Sequence, residues 1–157
     1  MASPDTSLPP RRALIGWRLL ALVYDLWPVV ALWMLASAAF TVAFTLSGHG
    51  TRENIAPFSA LQWLLWLVCW LITAGYAVLS WRRGGQTLGM RPWRLRVTAP
   101  DGGAPTLHAL AIRYAVGSVS LLLGGLGFWW AWIDRDRLTW HDRASATRMV
   151  RLPKLVK

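Results

Sequence analysis

The run of apolar residues from Leu61 to Trp81 contains no Asp, Glu, Lys or Arg, and it constrains this chain more than any other feature. A membrane-spanning α-helix needs about 20 predominantly apolar residues, so the run is long enough to cross a bilayer. The chain has 157 residues, of which 55% are hydrophobic. A soluble domain of that size leaves much of its surface in water and cannot bury such segments. The sequence therefore predicts an integral membrane protein.

A second apolar segment precedes this run, from about Trp17 to Leu46, and it is also long enough to span a bilayer. Pro28 inside it predicts a kink near Tyr24 and Asp25, because proline removes a helical hydrogen bond and its ring clashes with the preceding turn. Residues 47–60 between the two runs are polar and contain glycine and proline, which predicts a loop.

A third apolar segment, from Leu107 to Ile133, contains Arg113 and several glycines. The glycines are Gly117, Gly124, Gly125 and Gly127. They allow either a single spanning helix with close packing or a chain that turns back inside the membrane. We favour the re-entrant or half-inserted form, because a single span would place the basic C-terminal residues outside the cell.

Between the second and third segments, residues 82–106 carry five arginines and one aspartate. Residues 93–97 alternate in polarity, and residues 100–103 carry turn signals, which together predict a short strand and turn that resemble a β-hairpin. The predicted fold is an all-α membrane protein with two full transmembrane helices, a third membrane-embedded segment that re-enters or spans, and a short cytoplasmic β-hairpin-like insert. The predicted units are a cytoplasmic tail (1–16), a membrane domain (17–151) and a basic tail (152–157).

The charge distribution predicts the orientation in the membrane. The chain carries 17 Lys and Arg against 7 Asp and Glu, mostly in clusters beside the apolar runs. The positive-inside rule then puts the N-terminus and residues 82–106 in the cytoplasm and residues 47–60 outside. We expect a multi-pass protein of the bacterial cytoplasmic (inner) membrane. Its basic clusters would contact anionic lipid headgroups at the cytoplasmic face rather than nucleic acid.

Arg18 and Asp25 are seven residues apart, so they share one helix face about 10 Å apart along the axis. An ionised Asp near mid-bilayer costs roughly 2.5–3.5 kcal/mol, so Asp25 must be paired, protonated or near water. Arg113 is the favoured partner, with Arg18 or the basic C-terminal group that includes His141 and Arg143 as alternatives. Either a titratable functional group or a purely structural bridge would explain such a pair.

Two short motifs contain residue types that can carry chemistry. Gly84-Gly85-Gln86-Thr87-Leu88-Gly89 has glycines, Gly84 and Gly89, at the spacing of a phosphate-binding loop, but Met90 and Arg91 replace the required Lys and Ser/Thr, so a flexible turn is predicted. His141 and Asp142 have no cysteine pair or second spaced histidine near them in sequence. Asp142 is predicted to form a salt bridge or a helix cap. No nucleophile–base arrangement is visible, so the chain is expected not to be an enzyme, and no metal site is expected.

Five elements in order resemble the RDD family of bacterial membrane proteins. They are the first helix with Arg18 and Asp25, the Gly85–Gly89 motif, Leu95-Arg96-Val97 with Asp101-Gly102, Arg113, and Trp140-His141-Asp142-Arg143 with Thr147. The family is named after one arginine and two aspartates, which would be Arg18, Asp25 and Asp142. The chain departs from the family pattern at Met90, where a basic residue is frequent, at Arg94, where glycine is frequent, and over residues 146–149.

The resemblance implies a cytoplasmic-membrane protein without a cofactor, for which transport, including cation/proton exchange, has been suggested. On this basis Asp25 would be the ion-linked group, with Arg18 and Arg113 setting its charge state. His141, Asp142 and Arg143 would gate or brace the cytoplasmic mouth. Two and a half helices cannot enclose a pathway alone, so a homo-oligomer or a larger membrane complex is expected. The alternative is a non-transporting accessory or assembly subunit of a membrane complex.

Overall fold

The structure, a computed structural model, describes residues 13–50 and 53–153. Most of the two predicted tails lies outside these residues. Two long helices, α1 (Ile15–Leu46) and α2 (Ala60–Gly84), form an antiparallel hairpin, and each is long and apolar enough to cross a membrane. Helix α1 continues past Pro28 without a break, and Ser59 caps the first turn of α2.

Helix α3 (Leu107–Leu122) runs antiparallel to α2 along about half of the length of α2. Arg82 Nη1 donates a hydrogen bond to the Pro105 carbonyl (3.1 Å) near one end of α2. Tyr114 Oη donates to the Trp70 carbonyl (2.9 Å) near the middle of α2. Helix α3 therefore reaches the centre of the α1–α2 pair from the end at which α2 finishes.

The chain bends sharply after α3. Gly124 and Gly125 have φ values of +69° and +80°, a conformation that glycine adopts without strain. The following short helix α4 (Leu126–Trp129) continues into one 3-10 turn (Trp130–Trp132), and this pair lies at 108° to α3. Two of the glycines in the third apolar segment thus form the bend, and the segment is not one straight helix.

The chain after the bend returns to the end at which α1 begins. Helix α5 (Trp140–Ala144) packs against α3, and strand β2 (Arg148–Arg151) pairs antiparallel with β1 (Leu95–Thr98). Because β1 follows α2 closely, both flanks of the bent segment lie at the same end of the α1–α2 pair.

The predicted β-hairpin is wrong in its pairing. The strand is present as β1, but its partner β2 lies at the far end of the described chain. The turn over residues 99–103 leads directly into α3, whose N-cap is Thr106, and leaves no room for a returning strand. The sheet therefore joins the segment after α2 to the C-terminal segment.

The buried core lies at this same end of the molecule. It consists of Ala21, Met90, Leu95, Val97 and Leu110, so it joins α1, the segment after α2, and α3. Along the long helices, by contrast, most large apolar side chains are exposed. A membrane would cover those apolar surfaces.

Candidate functional site

Asp142 lies on α5 in a position that the local sequence determines. Thr139 caps the helix: its Oγ1 accepts a hydrogen bond from the Asp142 N–H, and Asp142 Oδ2 accepts one from the Thr139 N–H, both at 3.3 Å. This reciprocal capping box fixes the Asp142 side chain at the first turn of α5. The carboxylate is completely buried.

Two arginines from different helices bind this one carboxylate. Arg18 Nη1 of α1 lies 2.6 Å from Asp142 Oδ2, and Arg113 Nη1 of α3 lies 2.5 Å from Oδ1. Arg18 and Arg113 are 3% and 2% exposed. The same Nη1 atoms also donate to Thr139 (3.2 Å) and Thr147 (2.7 Å). The charge cluster of Arg18, Arg113 and Asp142 thus connects α1, α3 and α5, and its guanidinium groups outnumber its carboxylate.

The protonation states at α5 follow from burial and these charges. Burial alone would raise the pKa of Asp142, but the adjacent Arg113 and Arg18 guanidinium groups lower that pKa well below its usual range. Burial and the Arg113 charge lower the pKa of His141 to about 3, so the ring is neutral at pH 7. With Asp142 ionised and His141 neutral, the cluster carries a net charge of +1. The aromatic neighbour of the His141 ring is Phe128, with ring centroids 4.7 Å apart.

The prediction of an ion pair between Asp25 and Arg113 is wrong, because Arg113 binds Asp142 instead. Asp25 accepts three hydrogen bonds from neutral donors: Tyr76 Oη (2.6 Å), Thr87 Oγ1 (2.5 Å) and the Gly89 N–H (2.9 Å). Across residues 13–50 and 53–153, no cationic side chain lies within ion-pair distance of it. Neutral hydrogen bonds therefore take the place of the expected cation.

The Gly85–Gly89 motif is the element that supplies these donors. Gly85 ends α2 with a φ of +72°, and Gln86 Nε2 fixes the loop by donating to the Leu95 carbonyl at 2.6 Å. Thr87 and Gly89 then contact Asp25, while the Leu88 N–H donates to Tyr76 Oη at 3.1 Å. The segment predicted as a flexible turn is thus held by hydrogen bonds across α1 and α2.

Gly89 lies directly against the backbone of α1. A Cβ at this position would overlap the Ala21 carbonyl oxygen and would lie 2.7 Å from Asp25 Cγ and 2.8 Å from Asp25 N. Only glycine permits this approach, because backbone atoms on α1 cannot move aside independently of the helix. The motif therefore locks the loop onto α1.

The structure brings four of the predicted site residues together, namely Arg18, Arg113, His141 and Asp142. Arg143 lies apart on the surface, 58% exposed, and pairs with Asp134 at 2.6 Å. Tyr76 and Thr139 were not among the predicted site residues. Thr139 was detectable, since Thr and Asp three residues apart match the capping-box spacing, whereas nothing in the sequence distinguishes Tyr76 as a partner of Asp25.

A cavity of about 320 Å³ lies between α1 and α3, and residues of α2 also line it. Arg18, Arg113 and His141 line it at one end, while Asp25 lines it further along α1. Its remaining walls are largely apolar: Ala21, Leu22, Leu26, Val29, Ala77, Leu121, Phe128 and Met149. The cavity therefore connects the charge cluster to Asp25.

Comparison with protein-family models gives a match to the RDD family over residues 12–146. The chain belongs to the RDD family. No curated protein and no solved structure matches it. In this RDD protein Arg18 and Asp142, which the resemblance assigns to the arginine and the second aspartate of the family name, form a buried salt bridge. The first aspartate, Asp25, is held separately by the Gly85–Gly89 loop.

Two departures from the RDD pattern have structural consequences. Arg94, where the family often has glycine, adopts a φ of +57°, which is unfavourable for a residue with a side chain. Met90, where a basic residue is frequent, is buried, and its Sδ accepts a hydrogen bond from Trp81 Nε1 at 3.3 Å. In this RDD protein, position 90 therefore belongs to the core.

Proposed function

We propose that this RDD protein is a transport-related subunit of the bacterial cytoplasmic membrane, with Asp25 as its ion-linked group and cation/proton exchange as its activity. One observation carries the proposal. Asp25 is a partly buried carboxylate within a helix suited to span the membrane, it is hydrogen-bonded only by neutral groups in the described chain, and it borders the cavity. Carboxylates inside membrane segments are costly, and they commonly mark ion and proton pathways.

The charge cluster has a bracing role in this proposal. Arg18 and Arg113 both form salt bridges with Asp142, so they act on Asp25 only across the cavity and not by direct contact. Because the cluster connects α1, α3 and α5, it fixes the mouth of the cavity. Two long helices and one bent segment cannot enclose a pathway, so the active form would be a homo-oligomer or a larger complex.

The test is cation flux driven by a proton gradient in reconstituted vesicles, with Na⁺ and K⁺ assayed separately. Asp25→Asn should abolish flux per inserted molecule, since the amide cannot bind and release a proton. Asp101→Asn is the matched control, because Asp101 is an exposed residue in the turn after β1. Unchanged flux in Asp25→Asn vesicles with normal insertion would refute the proposal.

The proposed orientation puts both chain ends in the cytoplasm. The pairing of β1 with β2 supports it, because that pairing brings the C-terminal segment to the end where α1 begins. The bent α3–α4 segment would then be re-entrant, and residues 47–60 would face outward under the positive-inside rule. Green fluorescent protein fused to the C-terminus should fluoresce, and activity of a C-terminal alkaline phosphatase fusion would contradict this orientation.

A non-transporting accessory or assembly subunit is the second candidate. The buried Arg18–Asp142–Arg113 cluster favours it, because such a cluster can serve helix packing alone. On that alternative, Asp25→Asn should lower the amount of inserted protein or of its complex, and neither Na⁺ nor K⁺ flux should exceed that of empty vesicles. Flux per molecule therefore separates the two candidates.

A further inference from the structure

The cavity between α1 and α3 combines two features that point to a ligand. It is of the size that small-molecule sites commonly have, about 320 Å³, and its walls are mainly apolar. Its α5 end carries the charge cluster, in which two buried guanidinium groups face one buried carboxylate. A buried charge without a partner is strongly unfavourable, so the surplus positive charge calls for an anion.

Two polar atoms at this end have no partner in the described part of the chain. They are Arg18 Nε and His141 Nδ1, and both side chains are at least nine-tenths buried and line the cavity. The Nη1 atoms of Arg18 and Arg113 already donate hydrogen bonds to Asp142 and to the neighbouring threonines. A ligand oxygen at this end would satisfy Arg18 Nε and also neutralise the cluster.

The dimensions and position of the cavity select the kind of anion. Along α1 it extends from Arg18 to Trp33, which is 15 residues, or about 22 Å of helix. A bilayer with its headgroup regions is about 40–45 Å thick, so the cavity spans roughly one leaflet from the headgroup region inward. A free phosphate would leave its apolar length empty, whereas an acyl chain would fill it.

We infer that the cavity binds one anionic phospholipid of the cytoplasmic leaflet, with its phosphate at Arg18 and His141 and an acyl chain between α1 and α3. Asp25 fixes this direction, because a headgroup further along the cavity would face a carboxylate. The inference does not depend on the transport proposal, since the lipid is detected by mass and not by flux.

The experiment is native mass spectrometry of the full chain in a nonionic detergent, with phosphatidylglycerol or phosphatidylcholine of identical acyl chains added. The wild type should bind one phosphatidylglycerol per chain, with a preference over phosphatidylcholine of about fivefold or more, as expected for one additional charge interaction. Equal binding of the two lipids would overturn the inference. A lipid-free dimer would also overturn it, and would assign the cavity to a second copy of the chain.

Two variants test the two ends of the cavity. Leu121→Trp should fill the acyl part and reduce lipid binding about fivefold or more, whereas Leu122→Trp is the matched control, because Leu122 is 86% exposed and does not line the cavity. Equal binding by these two variants would overturn the inference.

Arg18→Gln leaves Arg113 and Asp142 as a neutral pair, so it should keep the fold, checked by circular dichroism, and lose the headgroup preference. A folded Arg18→Gln variant with the wild-type preference would overturn the inference as well.

Discussion

Gly89→Ala is the most informative single change, because it tests the contact between the Gly85–Gly89 loop and α1. The added methyl would overlap the Ala21 carbonyl oxygen and approach two atoms of Asp25 within 2.8 Å, so the loop must retreat. Retreat breaks the hydrogen bonds from Thr87 Oγ1 (2.5 Å) and the Gly89 N–H (2.9 Å) to Asp25.

The expected cost follows from those two bonds. A hydrogen bond to a charged group contributes about 1.5–3 kcal/mol, so losing both should lower the free energy of unfolding by about 3–6 kcal/mol. A smaller adjustment that only relieves the overlap would cost about 1–3 kcal/mol. The measurement is unfolding in mixed detergent micelles titrated with sodium dodecyl sulfate and followed by circular dichroism.

Gly84→Ala is the matched control, because a Cβ at this last residue of α2 meets nothing within 4 Å. We expect it to change the free energy of unfolding by less than about 1 kcal/mol, in the stabilising direction. In a double-mutant cycle, part of the Gly89→Ala cost should disappear in an Asp25→Ala background. Similar effects of Gly84→Ala and Gly89→Ala would refute the locked contact, and full additivity with Asp25→Ala would refute its dependence on Asp25.

Three further predictions use the same unfolding measurement. Asp142→Asn should lower the free energy of unfolding by about 3–5 kcal/mol, because it leaves two buried guanidinium groups without a carboxylate. Asp136→Asn, at a side chain that is 46% exposed, should lower it by less than about 1 kcal/mol; equal effects would contradict this. His141 has a pKa of about 3 in the folded protein, below the ordinary value of about 6.5 in an unfolded chain, so the unfolded state binds more protons between these pH values. Stability should therefore fall by about 1.4 kcal/mol per pH unit below pH 6.5, and His141→Phe should remove that slope between pH 6.5 and 5; an unchanged slope would contradict it. Arg94→Gly should raise the free energy of unfolding by about 1 kcal/mol, because glycine adopts a φ of +57° without strain. Arg96→Gly inside β1 should lower the free energy of unfolding.

The helices of the hairpin were predictable from hydropathy alone, because a spanning helix must be apolar over its whole length. The predicted runs start and end within three residues of α1 and α2. The bend after α3 was indicated by Gly124 and Gly125, which can adopt the positive φ values that it needs. Local chemistry also predicted a capping or salt-bridging role for Asp142, and the structure shows both.

Long-range pairing was not predictable from the sequence. The Asp25–Arg113 pair was expected because an ionised carboxylate in a membrane helix favours a cationic partner. In the structure a phenol, a hydroxyl and a backbone N–H together donate hydrogen bonds to Asp25. Strand β1 was visible from its alternation, but a four-residue strand carries no information about which distant segment completes it. Both errors concern which part of the chain meets which other part, and local patterns do not encode that.

The salt bridge between Arg18 and Asp142 joins residues 124 positions apart, and this separation has a consequence for biosynthesis. At a ribosomal rate of about 5–20 residues per second, roughly 6–25 seconds pass between the synthesis of the arginine and that of its carboxylate. The first two helices are therefore synthesised while Arg18 still lacks its partner, and a nascent chain arrested before residue 139 should remain open to protease or chaperone at the end where α1 begins.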